Sequence, residues 1–298
     1  MKKVLLSVSS KDENKGFLSS LEIKKLERLL KEDEQVEFLG NIDLENISLI
    51  EGNLFKNGNP IEKPDIFFWY NRGIMKNLNL LKAFSQEFKV IKNPESFQVI
   101  QDKFLAHSYL QKHNLPLPKF ALIDSMDFNA MKKVLKDWKT VLVKPQKGSF
   151  GRGIVKINDF ETLRDLAGIM KAKNKQEKIF IEKFYPNDAR EWISTTVINK
   201  EVAYGYRKKE DKFADWKVYD PDAKGGGAYY VDPSPIKSIA EKAASYLKAE
   251  IAGFDFIKTD EGYILVDENN FPGMYENAFN EARKDVSLSF FNLIKSHF

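Results

Sequence analysis

The sequence predicts a mixed protein, a parallel α/β block followed by two α+β units. Three observations carry this reading. Over the first 92 residues, short apolar runs of strand length alternate with amphipathic stretches of helix length, the pattern of a parallel sheet. From Asn93 the strands are shorter and interleaved with helices, and from Ile179 the pattern becomes mostly β. The length of 298 residues suits two or three domains, at roughly 150 residues or fewer each. The expected units are 1–92, 93–178 and 179–298.

In the first unit, residues 4–8 read as a buried strand. Ser19 or Ser20 caps a helix that carries Leu21, Leu26, Leu29 and Leu30 near one face. Residues 36–39 form a second strand, and 40–64, rich in Asn and Gly, read as mostly loop. Residues 65–70 are a buried strand, and a helix follows around 75–88. In the second unit, Asn93-Pro94-Glu95 opens a helix, with Asn at the cap and Pro at the first helical position. Its face continues through Phe97, Ile100, Phe104, Tyr109 and Leu110, up to Leu115-Pro116-Leu117-Pro118. Strands at 120–123, 140–144 and 154–157 alternate with helices at 127–137 and 159–170. In the third, strands at 179–184, 192–198 and 202–207 precede a long polar loop, 208–227. A helix at 235–251 leads to strands at 254–257 and 263–267, and a last helix starts near Glu276.

Composition narrows the chemistry. Lys and Arg number 47 against 43 Asp and Glu, a surplus of +4, with 43% hydrophobic and 30% charged residues. That is a globular composition. The mild surplus argues against a nucleic-acid binder but permits local basic patches for small anions. With no cysteine, disulfides, thiolate metal sites and a cysteine nucleophile are excluded. The three histidines, His107, His113 and His297, form no HExxH pattern, and a Ser-His-Asp triad is not expected. The longest strongly apolar run, 66–70, falls far short of the ~20 residues of a membrane span. Lys2 and Lys3 precede a short apolar run that Lys11-Asp12-Glu13 breaks, so the start reads as a strand of a cytoplasmic protein.

Four pieces carry chemistry. Strand 141–144 delivers Lys144 to a loop, Lys147-Gly148-Ser149-Phe150-Gly151-Arg152-Gly153, which is either a phosphate cradle or a tight hairpin. Gly253-Phe254-Asp255-Phe256-Ile257 and Val266-Asp267-Glu268-Asn269-Asn270 place acids and amides on neighbouring strands. Alternation puts Asp267 and Asn269 on one face and Glu268 on the other. With Asp255 these are hard oxygen ligands suited to Mg²⁺. Phe180-Ile181-Glu182-Lys183-Phe184 ends an apolar strand in a polar step, an edge able to meet a purine. Arg190, Arg207, Lys208, Lys209 and Lys224 are basic. Arg207 at a strand end is read as functional, and the three lysines as a solvated loop.

Taken in order, these pieces resemble the ATP-grasp family, from about Asn93 to Gly273. Asn93, Asp102-Lys103 and the Leu115–Pro118 step are similar to its opening helix. Val143-Lys144-Pro145 and the glycine loop resemble its phosphate loop. Asp188-Ala189-Arg190 with Arg207, then Gly225-Gly226-Gly227, resemble the RimK-like branch, which joins amino acids to carboxylates. The resemblance implies an ATP-grasp fold, with the central and C-terminal α+β units clasping ATP. It implies Lys103 and Lys144 on the phosphates, with Ser149, Phe150 and Gly151 closing over them. Adenine would lie against Glu182, Lys183 and Phe184, and ribose near Asp188. Asp255, Asp267 and Asn269 would hold Mg²⁺, or Mn²⁺ in its place. Arg207 would stabilise the transferring phosphoryl group, and Arg190 would face an anionic substrate.

The chain departs from that branch in carrying Asp267-Glu268-Asn269 where Glu-Val-Asn is usual, and Asp215-Trp216 near the usual Asn ahead of the substrate loop. The first departure is similar to ATP-grasp kinases of inositol polyphosphates. The implied activity is therefore an ATP-dependent carboxylate–amine ligase, with a polyol-phosphate kinase as the alternative. Substrates are expected to be small molecules or peptides of anionic character. Neither nucleic acid nor membrane is expected, and a homo-oligomer is left open.

Overall fold

The computed structural model describes residues 1–9, 18–45, 47–71, 77–148, 151–173, 178–209, 216–217 and 227–298. Strand β1 (Lys2–Val8) is buried from Val4 to Val8, as a strand covered on both faces must be. Helix α1 (Ser20–Glu32) starts where the Ser19 hydroxyl accepts from the Glu22 N–H, and it buries Ile23, Leu26 and Leu30 while Leu21 stays exposed. After β2 (Val36–Asn41) the structure departs from the expected loop. Strands β3 (Ile47–Ile50), β4 (Asn53–Lys56) and β5 (Asn59–Ile61) form a three-stranded antiparallel sheet. Its turns, Glu51-Gly52 and Asn57-Gly58, have φ of 49°, 76°, 51° and 79°. Two positive φ values in a two-residue turn give the twist that hairpins favour, and Asn-Gly supplies it at little steric cost. Strand β6 (Ile66–Tyr70), helix α2 (Leu78–Glu87) and strand β7 (Lys89–Ile91) complete a parallel sheet ordered β2-β1-β6-β7.

The helix expected from Asn93 onward is two helices, α3 (Pro94–Gln101) and α4 (Lys103–Gln111). Asp102 breaks it. Its carboxylate accepts from the Leu105 N–H and so caps α4, while its own N–H still bonds to the Val99 carbonyl. Lys103 thereby becomes the first residue of a new helix. Strand β8 (Phe120–Asp124), helix α5 (Phe128–Trp138), strands β9 (Val141–Lys144) and β10 (Val155–Ile157), helix α6 (Phe160–Lys173) and strand β11 (Lys178–Lys183) follow. The sheet is antiparallel, ordered β10-β9-β11-β8.

The last sheet is also antiparallel. It contains β12 (Ile193–Ile198), β13 (Glu201–Lys208), β14 (Ala228–Val231), β15 (Ile251–Thr259) and β16 (Gly262–Asn269), ordered β14-β13-β12-β15-β16. Helix α7 (Lys237–Tyr246) ends earlier than its periodicity suggests, because Lys248 turns the chain at φ 53° into β15. The final helix is likewise split. Arg283 at φ 52° closes α8 (Glu276–Glu281), and Asp285 caps α9 (Val286–Lys295).

Helix α9 returns to the beginning of the chain. Phe290, Leu293 and Ile294 share a core with Val4, Leu6 and Phe68, and the Phe68 and Phe290 rings lie 5.2 Å apart. Lys25 meets Asp285 at 2.6 Å and Lys295 meets Asp33 at 2.9 Å. Among the described residues no helix is long and apolar enough to cross a membrane.

The Asp102 cap gives a direct test. Asp102→Ala should lower stability by about 1 kcal/mol, the typical cost of a lost N-cap. Urea denaturation should show a lower midpoint with an unchanged slope.

Candidate active site

The site is built on one strand pair. In the β15–β16 register Asp255 lies opposite Asp267, and Gly253 opposite Asn269, so these side chains share a face. Glu268 lies opposite Phe254 and faces away. Gly253 has to be bare, since a Cβ there would come within 2.8 Å of the Pro272 Cβ and 3.1 Å of the Thr195 carbonyl. The Asn269 amide reaches Asp255 Oδ2 at 3.5 Å. Asp255 Oδ1 is buried and has no hydrogen-bond partner.

Three ammonium groups converge on this face. Lys103, at the start of α4, binds the Asp267 carboxylate, while its backbone N–H donates to the Gln146 carbonyl at 3.0 Å. Lys144, at the end of β9, lies 2.6 Å from Glu182 Oε2 and donates to the Val266 carbonyl at 3.1 Å. Lys208, at the end of β13, lies 2.7 Å from Asp255 Oδ2. Burial works against charge on Asp267, but Lys103, Lys144 and Lys208 together hold its carboxyl below the usual range. Burial likewise opposes the Lys103 and Lys208 ammoniums. Asp267 in one case and Asp255 in the other outweigh it and raise both lysines.

Behind the face sits a buried imidazole. His107 Nε2 is 3.4 Å from Glu182 Oε1, and its Nδ1 is 3.2 Å from Glu268 Oε1. These are ion-pair distances without aligned hydrogen bonds. Burial disfavours the imidazolium, yet Glu268 and Glu182 outweigh it and raise the His107 pKa.

Arg207 and Lys208 are neighbours on β13 and therefore point to opposite faces. Arg207 turns away from the acids and its Nε donates to the Trp192 carbonyl at 3.1 Å. Lys208, read from the sequence as a solvated loop residue, is the cation that reaches the site. Arg190 is also diverted. Its guanidinium forks onto the Asp188 carboxylate at 2.6–2.9 Å, across the short 3-10 turn Ala189–Glu191. Glu182 is buried and points its carboxylate to Lys144 and His107. Lys183 and Phe184 follow it, and their N–H groups are already taken by the Lys119 and Thr140 carbonyls at 2.8 and 2.9 Å.

In the glycine loop, Gly151 and Gly153 have φ of 66° and 75°, and the Gly148 carbonyl accepts from Lys103 Nζ at 3.4 Å. Ser149, Phe150, Asp215, Lys224, Gly225 and Gly226 lie outside the described residues.

The Asp188–Arg190 pair gives a pH test. The Arg190 fork lowers the Asp188 pKa from 3.8 to about 2. A depressed carboxylate contributes stability that is fully present above the ordinary value and is lost as pH falls through the folded one. Carboxyl-carbon NMR should place the Asp188 midpoint near 2, and in Arg190→Gln it should return toward 3.8.

The chain has known relatives. A profile of the RimK-like ATP-grasp domain matches residues 100–287, well over half of the chain. The α-aminoadipate–LysW ligase LysX of Saccharolobus solfataricus is 28% identical over 243 residues, covering 78% of this chain and 85% of that one. The tetrahydromethanopterin:α-L-glutamate ligase of Methanocaldococcus jannaschii is 26% identical over 199 residues, or 65% and 66% of the two chains. Among solved structures, the ATP-grasp ligase PsnB complexed with minimal precursor, Mg and ADP has a TM-score of 0.63 at 15% identity, over 99% of this chain and 97% of that one. That likeness shows the ATP-grasp fold. The profile match, over the same stretch that carries the three lysines and the paired acids, shows that the chain belongs to the RimK-like ATP-grasp family of ATP-dependent carboxylate–amine ligases.

Proposed function

We propose that this protein uses ATP to join a substrate carboxylate to the amine of an acidic amino acid, acting in the cytoplasm. The observation that carries the reading is the convergence of Lys103, Lys144 and Lys208 on the face that holds Asp255, Asp267 and Asn269. Three cations beside three oxygen ligands suit a polyphosphate better than any neutral substrate. The acidic amino acid is inferred from the relatives, one named for α-aminoadipate and the other for α-L-glutamate.

The residues fit Mg²⁺. Asp255 carries a buried oxygen without a partner, and an amide and a second carboxylate lie on the same face. Among the described residues no cluster of three His, Cys, Asp or Glu side chains could hold a metal. The set is thus two carboxylates and an amide, and Mg²⁺ commonly takes its remaining ligands from phosphate and water. When bound, the ion neutralises phosphate charge, and Mn²⁺ prefers the same oxygen ligands.

The chain supplies position and charge rather than a nucleophile. A substrate carboxylate oxygen attacks the γ-phosphorus, and the bond to the β–γ bridging oxygen breaks to release ADP. The amine then attacks the acyl carbon, loses a proton and expels phosphate. Lys103 and Lys144 hold the phosphates. Lys208 stabilises the charge spread over the transferring group, the role that the sequence reading gave to Arg207. Lys183 and Phe184 line the adenine side, and Asp188, held by Arg190, faces ribose.

Product analysis and steady-state kinetics test this. ADP and inorganic phosphate should appear in equal amounts with an acidic amino acid and a carboxylate acceptor, and hydroxylamine should trap a hydroxamate. A phosphorylated alcohol without free phosphate would instead identify a kinase. Lys208→Ala should lower kcat by roughly 10²–10³-fold, the scale of a lost transition-state charge contact. Arg207→Ala should stay within several-fold of wild type in the same steady-state assay.

A further inference from the structure

His107 has no part in the reaction described above, yet it is fully buried between Glu182 and Glu268. Glu182 lies on β11 of the central sheet and Glu268 on β16 of the C-terminal sheet, so one imidazole spans the two. The rings of Phe120 and Phe180 pack edge-on at 5.4 and 5.8 Å, leaving it little freedom to turn. Each carboxylate it meets is one step from the site. Glu182 holds Lys144 through its other oxygen. Glu268 stands between Asp267 and Asn269 in the chain.

We infer that His107 is a positioning residue for nucleotide and metal binding. Through Glu268 it fixes the turn of the β16 end, so that Asp267 and Asn269 face Asp255. Through Glu182 it holds Lys144 toward the phosphates. The physical reason is that two buried carboxylates on different sheets repel unless each meets a partner; Lys144 pairs with Glu182 and Lys103 with Asp267, which leaves Glu268 to His107. Spacing supports the assignment. His107 lies one helical turn beyond Lys103 on α4, so a single helix face answers the consecutive acids Asp267 and Glu268.

This inference rests on the nucleotide reading above, and the test separates the two. ATP binding is measured by calorimetry on the full chain across a Mg²⁺ series, alongside thermal unfolding. His107→Leu should weaken ATP binding at least tenfold. In His107→Leu with Glu268→Gln the unbalanced charge is removed, so Tm should recover while ATP affinity does not. His107→Asn can keep a donor where Nδ1 lies, toward Glu268, and His107→Gln can keep one where Nε2 lies, toward Glu182. The Asn variant should therefore keep nearly the wild-type Mg²⁺ requirement, and the Gln variant should need several-fold more.

Equal ATP affinity in His107→Leu and wild type overturns the inference alone. So does recovery of both Tm and affinity in the double variant, which would make His107 a charge balance only. If the leucine variants do not fold, an equal Mg²⁺ requirement in the Asn and Gln variants overturns it. Failure of the wild type to bind ATP with Mg²⁺ overturns the nucleotide reading and this inference with it.

Discussion

An ammonium or carboxylate withdrawn from water costs several kcal/mol unless an opposite charge meets it. Lys103, Lys144, Glu182, Asp255 and Glu268 are each no more than 6% exposed. They come from α4, β9, β11, β15 and β16, so these five elements have to meet at one place. The break at Asp102, the bare backbone at Gly253 and the opposed acids of β15 and β16 all serve that meeting. The pairing also sets how a polyanion enters. Each lysine already has an acid, so a triphosphate exchanges one partner for another instead of meeting bare charge.

Much of the site was legible because its acids interrupt apolar strands. Asp255 and Asp267 stand among Phe, Ile, Leu and Val, and alternation alone separates Asp267 and Asn269 from Glu268. Lys208 was not legible. It opens what reads as a charged run, 208–209, directly after Arg207. Only the sheet order β13-β12-β15-β16 decides which of the two neighbours faces Asp255. His107 was hidden for a related reason. Its partners lie 75 and 161 residues further on, and the local sign is only its four-residue spacing from Lys103.

The fold follows the same division. Long periodic segments such as α1 and the all-buried β6 could be read locally, and so could the parallel character of the first sheet. The antiparallel sheet between β2 and β6 could not be read from composition, since Asn and Gly mark a loop and a hairpin alike. The Asn57-Gly58 pair between short apolar runs was the available sign. Asp102 shows the converse error. An apolar face that runs on unbroken gives no warning that a side-chain oxygen in its midst will cap a second helix.

The return of α9 to the first sheet has a consequence for biosynthesis. Val4, Leu6 and Phe68 are made well before Phe290, Leu293 and Ile294, which share their core. The α/β block can form its strands and parallel pairings as it emerges from the ribosome. It cannot close its core until the 286–295 segment is translated. Until then the nascent chain carries an uncovered apolar sheet face, the kind of surface that recruits chaperones or drives aggregation. Completion of the α/β block is thus tied to the translation of α9.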